Sequence, residues 1–352
     1  MATIHLEHIG HSYDAAVYAL EKTDIFFEDG KTYALLGPSG CGKTTMLNII
    51  SGLLYPSDGR VLVGGTDMTR TPTAKRNIAQ VFQFPVIYQS KTVYENLAFP
   101  LLCRGWDKTR IAPRVAEIAE LLGLSSRLGQ SSRRLTADEK QLISLGRGLV
   151  RNDVSALLMD EPLTVIDPHM KFDLRRRIKQ ANDKTRHTVV YVTHDQNEAM
   201  TFADEILVMS AGRIVQKGTP QDLFENPCNR YVGNFIGSPG MNFLNVRCEN
   251  DLLRWEGYPL RIERHLVGLS AEQSILVGIR PEHVRLAAVD EEGIPALVQG
   301  VQHQGSMSVV DVAVGSERLK FKVKSDIAML GGEIRINLPS DKIRIYVNDA
   351  LI

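Results

Sequence analysis

The sequence predicts an α/β domain followed by an all-β domain, on three observations. Short, almost wholly apolar runs such as TYALLG, SALLM and TVVYV recur between helical stretches up to about residue 235, as expected of parallel strands covered on both faces. One of these strands leads through a glycine-rich turn, GPSGCGKTT, into a helix that continues as MLNIISGL. From about residue 240 the texture changes. LKFKVKS, GGEIRINLP and DKIRIYV alternate apolar and polar residues with period two and are separated by Gly, Pro, Asn and Asp, which suits a half-buried antiparallel barrel or sandwich. The expected domains are therefore residues 1–235 and 240–352, with IGSPGMN at residues 236–242 as the linker.

Composition narrows the function classes. The 352 residues suffice for two or three domains, and 43% hydrophobic with 23% charged residues describes a folded, soluble chain. Lys+Arg and Asp+Glu balance at 41 each. A dedicated nucleic-acid binder would carry a basic excess, so no nucleic acid is expected as a partner. No apolar run reaches the length of a bilayer span, and MATIHLEHIGHSYD lacks the features of a signal peptide. Cys41, Cys103, Cys228 and Cys248 form no CxxC pair, so reduced cytosolic thiols are expected. Any membrane contact is then peripheral.

The glycine-rich turn carries the first chemistry. Residues 37–45 fit G-x-x-x-x-G-K-[ST] between a strand and a helix. Gly37, Gly40 and Gly42 let the backbone of Ser39, Cys41 and their neighbours curl so that successive N–H groups point at phosphate oxygens. Lys43 adds a charge for the β- and γ-phosphates, Thr44 closes the motif and offers a hydroxyl to Mg²⁺, and Thr45 follows it. A chance glycine turn would not have both strand and helix where the mechanism needs them. ALLMDEP then places Asp160 at the end of a buried strand, where a carboxylate can hold Mg²⁺ through water. Glu161, one residue on, is positioned as general base for the attacking water. The ligands expected are a nucleoside triphosphate and Mg²⁺.

With these motifs in order, the chain resembles the ATP-binding cassette family, the ATPase subunits of ABC transporters. The resemblance covers nearly the whole chain and implies a helical subdomain at about residues 85–150. It places Gln83, in VFQ, at the Q-loop position that contacts metal and water, and His194, in VTHD, at the switch position that touches the γ-phosphate. It places Asp167, in LTVID, in the D-loop, where the family more often has Ser-Ala-Leu-Asp. Tyr13 matches the aromatic that stacks on adenine. Taken singly, His194 also reads as an ordinary strand-end histidine and Tyr13 as a packed core aromatic. Residues 218–244 and 277–286 look like the maltose-type group of importer ATPases, in which an OB-like regulatory domain follows the cassette. The segment FPVIYQSKTVYENLAFPLL corresponds to the surface that receives the permease; core packing is its other reading.

The family's Leu-Ser-Gly-Gly-Gln signature is replaced here by Leu135, Thr136, Ala137, Asp138 and Glu139. In the family this tip faces the partner subunit's nucleotide from a helix N-terminus. Ala137 and Asp138 add Cβ atoms where glycine backbone approaches the phosphate. Two acids beside an anion are unfavourable: unit charges ~4 Å apart at an effective dielectric near 20 repel by roughly 4 kcal/mol. Thr136 through Glu139 also fit a capping box, which would occupy the donors that serve phosphate. The helix beyond, with Gln141, Gly146 and Arg147, keeps the family's pattern.

The resemblance thus implies ATP hydrolysis driving uptake of a sugar, polyol or sugar phosphate, with glycerol or a similar polyol the leading candidate. The machine would comprise two transmembrane permease subunits, an extracytoplasmic solute-binding protein and a second, different ATP-binding subunit. The expected place is the cytoplasmic face of a bacterial or archaeal membrane. An ATP-binding regulatory subunit with little hydrolysis is the alternative, and intact Glu161 and His194 speak against it. A GTPase would carry an Asn-Lys-x-Asp guanine reader, which is absent, and the full ABC motif order argues against both a GTPase and a nucleotide kinase. A soluble ABC protein acting on DNA or ribosomes would show tandem cassettes, coiled coils or basic excess.

Overall fold

Six strands form the sheet that positions the site, in the spatial order Arg213–Gly218, Glu205–Ser210, Thr32–Leu36, Thr188–Thr193, Ala156–Asp160, Ile78–Val81. All neighbours are parallel except Arg213–Gly218, which pairs antiparallel at the edge. Side chains alternate across a strand, so a strand buried on both faces has no polar alternation. In Ala156–Asp160, Ala156 and Leu158 join one core with Leu35, Met46 and Ile50. Leu157 and Met159 join a second core with Ile118, Leu142 and Ile178. The computed structural model describes residues 2–14, 17–249, 252–262, 273–288, 291–325 and 331–352.

The second core holds three helices between residues 93 and 149: Val93–Leu102, Lys108–Leu121 and Ala137–Leu149. They pack closely enough that a Cβ on Gly146 would lie 2.5 Å from Leu97 and 2.9 Å from Leu122 side-chain atoms. The alternation of strands and helices does not announce one further element. Tyr18–Phe27, Ile4–Ser12, Asp58–Val63 and Thr66–Asp67 make a separate antiparallel sheet. Register shifts between Leu6 and Ser12 break the period-two pattern that would mark the strand Ile4–Ser12 as half-buried. Among the described residues no helix is long and apolar enough to cross a membrane.

The chain divides into two compact units, Met1–Pro220 and Gln221–Ile352. The division comes before the boundary expected near residues 235–240, and the expected linker lies inside the second unit. Arg280, in RPEH, gives the physical reason. Its guanidinium is 1% exposed and donates to the carbonyls of Phe224 at 2.8 Å, Gly233 at 2.9 Å and Ile236. It also lies over the Phe224 ring, 4.4 Å from the centroid. Burial lowers its pKa to about 10, so it stays charged at neutral pH and remains bound to these carbonyls. The segment that reads as a connector is therefore tied to the β domain. The rest of this unit is antiparallel, in two sheets. Their orders are Tyr258–Leu260, Leu252–Trp255, Asn242–Glu249, Ile275–Ile279, Arg344–Val347, Ala350–Leu351 and Arg285–Leu286, Glu333–Asn337, Ile294–Gln304, Met307–Val314, Glu317–Lys324. One core that includes Leu244, Trp255, Val277, Val310 and Phe321 joins them.

Replacing Arg280 with Met fills the space but leaves buried carbonyls without donors, at about 1–3 kcal/mol for each unsatisfied group. We expect unfolding of the second unit to be easier by on the order of 3 kcal/mol. Denaturant titration followed through buried Trp255 in a Trp106→Phe chain measures this. The transition reported by Trp106 in a Trp255→Phe chain should not move.

Candidate nucleotide site

The strand Thr32–Leu36 ends at the glycine-rich turn, and the helix Lys43–Ser51 begins from it. Two glycines are required by neighbouring strands. A Cβ on Gly37 would lie 2.3 Å from the Met209 carbonyl, and one on Gly42 would lie 2.5 Å from the Ala19 carbonyl. Gly42 also has φ +99 and Gly40 φ +81, both in the region that favours glycine. Ser39, Gly40 and Thr44 are exposed while Cys41, Lys43 and Thr45 are buried. The Lys43 ammonium donates to the carbonyls of Gly37 and Pro38, both at 2.8 Å, so it crosses back over the loop that it closes.

Tyr13 is 67% exposed and so is not a core aromatic. Its hydroxyl lies 3.1 Å from Thr45 Oγ1, and its ring packs edge-on against His11. The structure therefore sets an exposed aromatic face beside the phosphate loop.

Asp160 and Glu161 end the strand Ala156–Asp160, one residue apart but in different surroundings. Asp160 is buried, and that burial raises its pKa; a hydrogen bond from Thr44 and the charge of Lys43 act against the rise, while Glu161 adds to it. Glu161 turns away at φ +42, an unusual conformation for a side-chain-bearing residue. Its amide donates to the Val192 carbonyl at 3.0 Å, fixing the turn to the strand Thr188–Thr193. One oxygen, Oε2, then gathers three groups. Gln83 Nε2 donates to it at 3.2 Å, Thr164 Oγ1 donates at 3.2 Å, and His194 Nδ1 stands 3.1 Å away. Gln83, Glu161 and His194, distant in sequence, are thus one cluster. Thr164 belongs to it without having been singled out by the sequence; its signal would have been the tight turn that returns the Thr164 amide to the Glu161 carbonyl at 3.2 Å.

Asp167 does not join that cluster. Its carboxylate caps the helix Pro168–Thr185 by accepting from the His169 amide at 2.8 Å. The altered signature tip is likewise separate. Leu135 is buried, and Thr136 caps the helix Ala137–Leu149 with a full capping box. The Thr136 amide donates to Glu139 Oε2 at 2.9 Å, and the Glu139 amide donates to Thr136 Oγ1 at 3.4 Å. The Thr136 hydroxyl also bonds the Asp138 carboxylate, which holds that carboxyl below its usual range. Arg127, which precedes this helix in the chain and was not anticipated, pairs with Glu139 Oε1 at 2.9 Å. In the segment after Gln83, Phe84 is 71% and Val86 51% exposed, so these two do not serve as core.

The comparisons with known proteins agree with this architecture. The ABC transporter family model matches residues 20–164, the MalK OB fold domain residues 237–284 and the TOBE domain residues 277–345. The chain is 38% identical over 306 residues to the sn-glycerol-3-phosphate import ATP-binding protein UgpC of Cereibacter sphaeroides, covering 87% of this chain and 86% of that one. It is 39% identical over 293 residues to the trehalose import ATP-binding protein SugC of Mycobacterium tuberculosis, covering 82% and 74%. The solved structure of cbiO1 from Clostridium perfringens shares the fold at a TM-score of 0.57 and 24% identity, over 62% of this chain and 89% of that one. The chain belongs to the ABC transporter family as an ATP-binding subunit, an ATPase whose cassette is followed by the OB-fold and TOBE segments of the maltose-type importer group.

Proposed function

We propose that this subunit hydrolyses ATP at the cytoplasmic face of a bacterial or archaeal membrane to power uptake of a small carbohydrate or polyol, working in an asymmetric pair with a second ATPase. The observation that carries the reading is the Glu161 carboxylate, which gathers Gln83, Thr164 and His194 on one oxygen. Two relatives that share most of the chain's length bear names for sn-glycerol-3-phosphate and trehalose import, which supports a polyol, sugar or sugar phosphate as the solute. Glycerol is the leading candidate. Two permease subunits and an extracytoplasmic solute-binding protein complete the transporter, and exposed Phe84, Val86 and Tyr88 suit the permease contact.

In this reading residues 37–45 hold the phosphates of ATP, with Tyr13 against the adenine. Thr44, Asp160 and Gln83 hold Mg²⁺, and the donor set fits, being hard oxygen ligands beside the phosphate loop. Mg²⁺ and Lys43 supply electrostatic stabilisation of the phosphoryl group when nucleotide is bound. Glu161 takes the proton of the attacking water through Oε1, because Oε2 is occupied. His194 and Gln83 keep that carboxylate aimed.

The signature tip supports the asymmetry. Its acids are satisfied inside the chain by Thr136, Arg127 and the helix's own amides, so the Thr136 hydroxyl and the Glu139 amide are already bonded and the tip adds negative charge beside the partner's nucleotide. A homodimer would have two such compromised sites. A heterodimer would have one competent site, built on this chain's Lys43, Asp160, Glu161 and His194 and on the partner's signature.

Glu161→Gln in the assembled transporter should lower ATP turnover by about 10²–10³-fold. Surviving hydrolysis would remove Glu161 as the base and favour a regulatory ATP-binding role. Restoring the family tip with Thr136→Ser, Ala137→Gly, Asp138→Gly and Glu139→Gln should raise turnover; no change, or a loss, counts against impairment. Purification of the intact complex should yield a second ATP-binding subunit of different sequence. A fully active complex containing this chain alone with its permeases would exclude the pair.

A further inference from the structure

Gln141 has no part in the site described so far, yet it is fully buried at 0% exposure. Its carboxamide nitrogen donates twice, to the Phe82 carbonyl at 3.2 Å and to the Pro162 carbonyl at 3.0 Å. Phe82 directly precedes Gln83, and Pro162 directly follows Glu161. Gln83 and Glu161 are themselves joined at 3.2 Å. One amide group from the signature helix therefore spans the two backbone segments that carry an interacting pair. A carbonyl oxygen shares a rigid peptide plane with the next residue's N–H, so holding Phe82 O fixes the plane from which Gln83 departs. Pro162 has a fixed φ, so holding its carbonyl restrains the turn that begins at Glu161.

The same helix face continues the connection. Ser144 Oγ accepts from the Val86 amide at 3.2 Å, and Arg147 donates to the Val86 carbonyl at 2.6 Å. The Arg147 guanidinium also lies 4.6 Å from the Tyr88 ring centroid. Positions 141, 144 and 147 recur at helical spacing and bind residues 82, 86 and 88 in order. Burying a polar side chain is costly unless its groups are bonded, and Gln141 Oε1 is buried with no partner. Leu or Met would fill that space without the orphaned oxygen, so core packing alone does not account for glutamine here. Its two donor bonds do.

We propose that Gln141 is a positioning residue for hydrolysis, and that the helix Ala137–Leu149 acts as a strut holding the Gln83-bearing segment at a set distance from the Glu161-bearing turn. The strut uses the shaft of the helix and not its tip, so the altered signature leaves it whole. This rests on the reading of Gln83 and Glu161 given above.

The test is ATP turnover of the assembled transporter carrying Gln141→Met, which keeps length and volume but removes both donors, and Gln141→Glu, which keeps shape. Each should lower kcat of the folded, assembled complex by about tenfold with KM for ATP unchanged, while the lost donor bonds lower the thermal midpoint of both variants. In a Glu161→Gln background Gln141→Met should add no further loss, since its effect passes through Glu161. A kcat within twofold of the parent overturns the strut. So does a loss that disappears once turnover is expressed per folded, assembled complex, or a full tenfold loss persisting in the Glu161→Gln background. Hydrolysis surviving in Glu161→Gln alone would sink the reading of the base, and would be seen independently of Gln141.

Discussion

The site depends on how one carboxylate oxygen is held. Glu161 Oε2 accepts from Gln83 and Thr164 and faces His194. Each group arrives from a different part of the chain: the end of the edge strand Ile78–Val81, the turn after Glu161 itself, and the end of the strand Thr188–Thr193. The parallel sheet makes this convergence possible, since parallel strands bring their carboxyl ends to one edge. The left-handed backbone at Glu161 costs on the order of 1–3 kcal/mol. The Val192 carbonyl, Thr164 and Gln83 over-determine the conformation and offset that cost.

The signature helix resolves a problem of charge by local means. Two acids in the first turn suit a helix N-terminus, where the macrodipole favours negative charge. Here they are also bonded, Asp138 by the Thr136 hydroxyl and Glu139 by the Thr136 amide and Arg127. A helix that must await an incoming phosphate leaves its first amides free. Here the Thr136 hydroxyl and the Thr136 and Glu139 amides are bonded within the chain, which is the physical meaning of replacing glycines by a capping box.

Much of the fold was legible in the sequence, for a definable reason. Ala156–Asp160 and Thr188–Thr193 are buried along their whole length, and only a two-sided parallel strand tolerates so continuous an apolar run. The capping box was legible because it is local, spanning four residues. What escaped is long-range or conformational. Arg127 meets Glu139 through tertiary packing, Thr164 meets Glu161 through a positive φ, and the strand Ile4–Ser12 hides its alternation behind register shifts. Glycine and proline in IGSPGMN read as a linker, and the division into compact units falls earlier, after Pro220. Arg280, some forty residues later, binds that segment into the β domain.

Tip and shaft of the helix Ala137–Leu149 are therefore under different constraints. At the tip Thr136 and Ala137 are exposed, and its bonds stay within the first turn and to Arg127. The shaft is bonded on the inside, through Gln141 to Phe82 and Pro162 and through Ser144 and Arg147 to Val86. Changing Gln141 leaves the Phe82 and Pro162 carbonyls without that donor within this chain, whatever the partner supplies. A change confined to the tip therefore leaves the bonds to Phe82 and Pro162 whole, because they are made one turn farther along the same helix.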